Sequence, residues 1–171
     1  RGGPGGARSV TWDMGRALAL AARPGGTVAE GARRAAMAAV AMPTPQVIVA
    51  IDTRAELDAP NLCRPPAVEP SLPNGQNVEF VVAAGPRHLV MRVHERGVGE
   101  TRSCGTGMCA VVAAAANAAG VGADGTPWRV DVPGGTCEVI WRPDGEILLT
   151  GPAVILAEIE LDDTWLASLA G

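Results

Sequence analysis

Cys104 stands where a glycine-rich polar stretch, Arg96-Gly97-Val98-Gly99-Glu100-Thr101, gives way to an apolar run from Met108 to Ala116. A run with no polar face reads as a buried helix. Here it extends from Cys104 to Ala119, with Gly120 and Gly122 as its stop. At the start of such a helix, backbone N–H groups lack acceptors and the macrodipole is positive. A thiol in that place is expected to have a lowered pKa and to ionise more readily. Gly105 and Gly107 let a ligand approach the backbone, Thr106 adds a hydroxyl, and the same N–H groups suit a carboxylate. Glu95-Arg96 comes just before. Arginine pairs bidentately with a carboxylate and glutamate with an ammonium. These residue types together suit a zwitterionic amino acid and a base that removes a proton from it. Singly, each has a plainer reading. A cysteine before an Ala-rich helix is more often a packed core residue, and a Glu-Arg dipeptide is usually a solvated pair. The order of the whole run is what points to chemistry.

The elements that must position this run are short. Val10 to Met14 alternates and reads as a strand, closed by Gly15. Residues 16–34 are ambiguous, and Pro24-Gly25-Gly26 argues against one long helix there. Gln46–Ile51, Asn77–Ala84 and His88–Glu95 read as strands, the last two joined around Gly85-Pro86. Ala55 to Leu57 starts a helical turn, and residues 59–76, with five prolines, read as a loop. Trp128–Val132, Cys137–Arg142 and Ile147–Leu149 are further short strands, the last two a hairpin. Ala153–Leu161 reads as a final strand, and Asp162 and Asp163 as caps of a short helix ending at Leu169. The expected fold is α+β, a mainly antiparallel sheet or barrel wrapped around one buried central helix. The expected organisation is a flexible linker over 1–9, a domain over 10–161 and a short C-terminal helix over 162–171. The chain begins at Arg1, and its Gly-rich opening reads as a linker from a fragment, a processed product or one half of a longer protein.

Composition narrows the chemistry. The 171 residues are 47% apolar, enough for a core, and the net charge of −4 offers no basic stripe for nucleic acid. All 14 basic residues are arginine, so no lysine is present to form a Schiff base. Tyrosine is absent too, which removes tyrosine acid–base chemistry. The four cysteines, Cys63, Cys104, Cys109 and Cys137, lack zinc-site spacing, and only His88 and His94 could assist. No metal is therefore expected. No signal peptide and no membrane-length apolar run is visible, so a cytoplasmic protein with reduced thiols is expected. Cys109 lies five residues along the helix and points about 140° from Cys104. Cys63, Cys109 and Cys137 read as structural or incidental, and His88 and His94 as structural or surface histidines, although His94 lies close enough to Glu95 to face the site.

The run Glu95-Arg96-Gly97-Val98-Gly99-Glu100-Thr101-Arg102-Ser103-Cys104-Gly105-Thr106-Gly107-Met108-Cys109-Ala110 resembles the segment around the second catalytic cysteine of the diaminopimelate epimerase family. The resemblance extends to Asp13-Met14-Gly15, to Pro73-Asn74-Gly75-Gln76-Asn77-Val78-Glu79-Phe80, to Val132-Pro133-Gly134-Gly135 and to Leu149-Thr150-Gly151-Pro152-Ala153. It covers nearly the whole chain but only the C-terminal half of that enzyme. The resemblance implies two similar domains, each a sheet around a central helix, with the active site between them. It implies interconversion of LL- and meso-diaminopimelate, a lysine and peptidoglycan precursor, without cofactor or metal. One thiolate would remove the α-proton and the other thiol would protonate the opposite face. Cys104 would be one of the pair. Asn77, Glu95, Arg96, Gly105 and Thr106 would hold the substrate, and Glu95 would also tune the thiol.

Two departures from the family pattern stand out. The family's other cysteine lies in a Cys-Gly-Asn-Gly run of its N-terminal domain, and no such run occurs here. An N-terminal domain is thus an expected partner, and the face it would leave open favours self-association, so a homodimer is another. At residues 42–46 the chain has Met-Pro-Thr-Pro-Gln where the family has Gly-Asn-Pro-His. Thr44 takes the place of a substrate-binding asparagine, and Gln46 that of a histidine thought to tune the cysteines. Glutamine does not titrate. Two other readings follow: an inactive or diverged module that binds an amino acid without turnover, and a two-thiol racemase for proline-like substrates.

Overall fold

The computed structural model describes residues 8–17, 19–30 and 33–168. The strands are β1 (Arg8–Arg16), β2 (Ala19–Glu30), β3 (Arg33–Ala41), β4 (Pro45–Ala50), β5 (Ala67–Glu69), β6 (Asn77–Gly85), β7 (His88–Glu95), β8 (Gly99–Thr101), β9 (Trp128–Val132), β10 (Gly135–Trp141) and β11 (Glu146–Ala153). Three helices are described: α1 (Arg54–Asp58), α2 (Gly105–Ala118) and α3 (Asp163–Ser168). The strands form one sheet in the order β1-β11-β10-β9-β7-β6-β4-β3-β2-β5, with β8 on β7. The sheet is mixed. β4 runs parallel to β6 and β7 parallel to β9, while the other described pairings are antiparallel.

The sheet curls into a half-barrel because α2 packs against strands far apart in the order, from β3, β4, β6 and β7 to β10 and β11. The sequence explains this closeness. Ala110, Val111, Val112, Ala113 and Ala116 are fully buried, and small side chains let strands approach a helix on several sides. The helix ends at Ala119, with Gly120 at φ +70° and Val121 N–H donating to the Ala116 carbonyl at 3.0 Å, a left-handed stop that glycine adopts freely. Strand alternation divides the rest of the interior. Ile48, Val81, Met91 and Val93 face α2, whereas Val47, Val49, Val78, Phe80 and Val82 pack under Leu57 of α1 and Leu62.

Most expected strands are present within a residue or two. The ambiguous residues 16–34 contain all of β2 and the start of β3, and the proline-rich loop contains the short β5. β1 takes in Arg8 and Ser9 of the expected linker, while residues 1–7 and Leu169 lie outside the described residues. One expectation is corrected. The strand expected over Ala153–Leu161 does not form: only Ala153 is in a strand, as the last residue of β11, which already has β1 and β10 on its two edges. A strand needs a neighbour to satisfy its backbone, and among the described residues the segment after Ala153 has none. α3 does follow, with Trp165 N–H donating to Asp162 Oδ1 at 3.0 Å.

Candidate active site

Cys104 is the N-cap residue of α2, extended at φ −136° and ψ 108°, and its side chain is 7% exposed. The first helical bond runs from Met108 N–H to its carbonyl at 2.9 Å. The segments on which the family resemblance rests converge on this turn. Leu149 of β11 and Met14 of β1 close around Gly105, where an added Cβ would lie 3.2 Å and 3.4 Å from them. The loop before Cys104 is pinned by Gly134, whose N–H donates to the Arg102 carbonyl at 2.7 Å. A Cβ at Gly134 would lie 2.9 Å from that oxygen, so only glycine permits the approach.

Around the thiol lies a hydrogen-bonded cluster. Gln46 Nε2 donates to Thr44 Oγ1 at 2.7 Å and to Thr106 Oγ1 at 3.1 Å, and the two hydroxyls are 3.3 Å apart. Cys104 Sγ is 3.5 Å from Thr106 Oγ1. Gln46 is 1% exposed, and its Oε1 has no partner among the described residues. Asn77, beside Gln46 in register, accepts the Arg96 backbone N–H at 2.9 Å. Arg96 extends outward and donates from Nη1 to the Asn74 carbonyl at 2.6 Å. Glu95 accepts from the Thr101 hydroxyl. The structure therefore brings Thr44, Gln46, Asn77, Glu95, Arg96, Gly105 and Thr106 to the strand ends and loops beside the start of α2.

The expected lowering of the Cys104 pKa is reversed. Burial raises it first, and the carboxyl groups of Glu79 and Glu95 raise it further. The Thr106 hydroxyl and the Gly107 N–H pull it down, but less. The helix start thus supplies the hydrogen bonds foreseen from the sequence, and desolvation outweighs them. At neutral pH Cys104 is a thiol, suited to deliver a proton.

Other candidates fall away. His94 lies on the opposite face of β7, with Nδ1 2.7 Å from the Leu62 carbonyl, and His88 pairs with Asp131 at 2.7 Å. Glu100 is held by Arg92 through bonds of 2.7 and 2.9 Å, which braces the loop rather than a ligand. Cys109 is fully buried and its pKa is pushed up to about 12 by burial. Cys63 is exposed in the loop after α1. No group of three or more His, Cys, Asp or Glu poised for a metal occurs among the described residues.

One residue of the site had no role assigned from the sequence. Glu79 of β6 is 0% exposed, and neither carboxyl oxygen has a partner among the described residues. Its signal was present in the strand alternation: Asn77, Glu79 and Val81 share the face that meets α2.

The curled half-barrel is an architecture that comparison with known proteins also finds. A solved structure, a predicted epimerase from Pseudomonas aeruginosa, aligns with a TM-score of 0.53 over 88% of this chain and 59% of that one, at 14% identity, a likeness of fold. Residues 38–156 match the family Diaminopimelate epimerase. Proteins named diaminopimelate epimerase are 52% identical over 166 residues in Streptomyces coelicolor and 40% over 163 in Mycolicibacterium smegmatis. These alignments cover 92% and 95% of this chain and 55% and 54% of the relatives. The chain belongs to the diaminopimelate epimerase family, and it spans about half the length of the curated relatives it matches.

Proposed function

We propose that this chain forms one half of the active site of a diaminopimelate epimerase, with Cys104 as one of two thiols that exchange the α-proton. The domain is read as α+β with α2 as its central helix, over residues 10–161. The other half is an N-terminal domain carrying the second cysteine. The observation that carries the reading is a thiol at the first turn of a buried helix, 3.5 Å from the Thr106 hydroxyl, inside the matched family region.

The chemistry follows from the geometry. A thiolate on one face of the α-carbon takes its proton, and the C–H electron pair stays on carbon. The α-carboxylate spreads that charge when it is held by N–H groups at a helix start, those of Gly105 and Thr106 here. The thiol on the opposite face then gives its proton to carbon, which inverts the centre. Cys104, protonated at rest, is the proton donor in one direction and, once ionised, the base in the other. Asn77, Glu95, Arg96 and Thr44 hold the ammonium and carboxylate groups. Gln46 orders Thr44 and Thr106 and does not titrate. The reaction needs no cofactor, because each thiol supplies what the other consumes.

A second reading rests on a specific observation. The Thr44 and Thr106 hydroxyls are already engaged by Gln46, which suits a site that binds a diverged or proline-like substrate, or binds without turnover. Turnover assays of the full-length protein decide between them. Epimerisation of LL-diaminopimelate is expected, with Cys104→Ala lowering it by about 10²–10⁴-fold, the usual weight of a positioned acid or base. Retained activity in that variant, or turnover of proline alone, sinks the assignment.

A further inference from the structure

Glu79 combines features that a carboxyl group rarely tolerates together. It sits mid-strand in β6, paired in register with Ile48 of β4 and Val93 of β7. Its side chain is 0% exposed, and neither oxygen has a hydrogen-bond partner among the described residues. Leaving such a group buried and unpaired is costly, and more so if it is charged. The carboxyl lies flat against the first turn of α2. A Cβ at Gly107 would fall 2.5 Å from Oε1, 2.7 Å from Cδ and 2.9 Å from Oε2. The N–H of the same glycine lies on the thiol's side and lowers the Cys104 pKa. One residue without a side chain therefore separates a buried carboxyl from the thiol. Glycine is needed there because any side chain would fill the space Glu79 occupies.

We propose that Glu79 is a positioning residue for Cys104, packed behind the first turn of α2 so that the carboxyl and the thiol titrate as a coupled pair. The inference rests on Cys104 being the working thiol of the proposed reaction. Among the described residues, the surroundings offer the Glu79 carboxyl no cation. β4 presents Gln46 and Ile48, which carry no charge. β7 presents Val93 and Glu95, the latter bonded by Thr101. α2 adds Cys104 and the fully buried Cys109. Arg92 and His94 face the other side of the sheet, and Arg96 is turned away to Asn74. Burial, then the nearby Glu95, raises the Glu79 pKa well above the usual carboxylate range. With no cation facing it, ionised Glu79 disfavours the Cys104 thiolate, and the thiolate in turn keeps Glu79 protonated. Coupling of this kind makes two neighbouring acids titrate as a pair. It keeps Cys104 a proton donor until its own proton is used.

The test is the pH profile of iodoacetamide alkylation at Cys104 in the full-length protein, read on the Cys104 peptide by mass spectrometry. It needs no turnover, so it can fail while epimerisation stands, and it can succeed when diaminopimelate is not turned over. Glu79→Gln keeps the shape and removes the titrating carboxyl. The expected result is a Cys104 profile shifted to lower pH by about one unit, or about tenfold faster alkylation at a fixed mildly alkaline pH. Glu79→Asp, which keeps the carboxyl, is expected to retain most of the wild-type profile. A Gln profile that does not move, or a Gln shift matched by Asp, overturns the proposal. If Glu79→Gln does not fold, infrared spectra of the wild type and Cys104→Ser serve instead. The expected result is a protonated-carboxyl band at neutral pH that changes when the thiol is replaced. Absence of that band, or indifference to Cys104→Ser, overturns it equally.

Discussion

At the residue scale, the state of Cys104 is set by opposing effects of known sign. Burial and the Glu79 and Glu95 carboxyls raise its pKa, and the Thr106 and Gly107 hydrogen bonds lower it. Thr106→Val should remove a lowering contact at nearly constant volume. Cys104 should then alkylate about two- to tenfold more slowly at a given pH, one hydrogen bond's worth, and an unchanged rate contradicts the role given to Thr106. Glu79 makes a prediction about stability. Its pKa is raised on folding, so the folded protein keeps a proton that the unfolded chain releases near the ordinary 4.5. Stability attached to it is therefore full below that value and is lost as pH rises through the folded value. Glu79→Gln should be more stable than wild type by about 1–3 kcal/mol at neutral pH. Thermal melts should show that advantage shrinking towards pH 4, whereas an advantage equal at every pH contradicts a titrating Glu79. The position of Cys104 was legible in its sequence, but its environment was not. A helix start shows in glycines and an apolar run, whereas desolvation depends on β1 and β11 closing over Gly105 from distant parts of the chain.

At the element scale, the first turn of α2 and strand β6 act as one unit. Gly107→Ala drives a methyl group into the Glu79 carboxyl, and overpacking of this kind costs about 1–3 kcal/mol. In a denaturant-unfolding cycle, Gly107→Ala combined with Glu79→Ala should cost less than the sum of the single changes by 0.5 kcal/mol or more, on the order of a direct contact. Strict additivity would show that the two do not touch. The strand alternation placed Asn77, Glu79 and Val81 on one face, but it did not say that α2 covers that face. Only the pairing of β6 between β4 and β7 does. Residues 154–161 teach the converse. Their apolar content read as a strand, yet strand formation depends on a free neighbouring edge, and β11 has none to offer.

At the scale of the whole molecule, the half-barrel brings the strand ends carrying Gln46, Asn77 and Glu95 to the start of one helix. That arrangement suits a site completed from outside the chain, in keeping with its span of about half the curated relatives. Leu156 is 92% exposed and Ile159 80%, with Val154, Ile155, Leu161 and Trp165 also exposed, an apolar segment that the described residues leave uncovered. The replacement of the family's Asn-Pro-His by Thr44-Pro45-Gln46 was visible in the sequence. Its consequence, a closed hydrogen-bond triangle beside the thiol, was not, because it depends on Thr106 reaching across from α2. The central claim is that Cys104 exchanges a substrate α-proton. It is tested most directly by incubating the full-length protein with diaminopimelate in deuterated water and following the α-proton by NMR. The account predicts that wild-type protein places deuterium at the α-position with inversion of the centre, and that inverted, deuterated product is lost in Cys104→Ala. Inverted, deuterated product that persists in Cys104→Ala, or none with an intact and folded wild type, contradicts it.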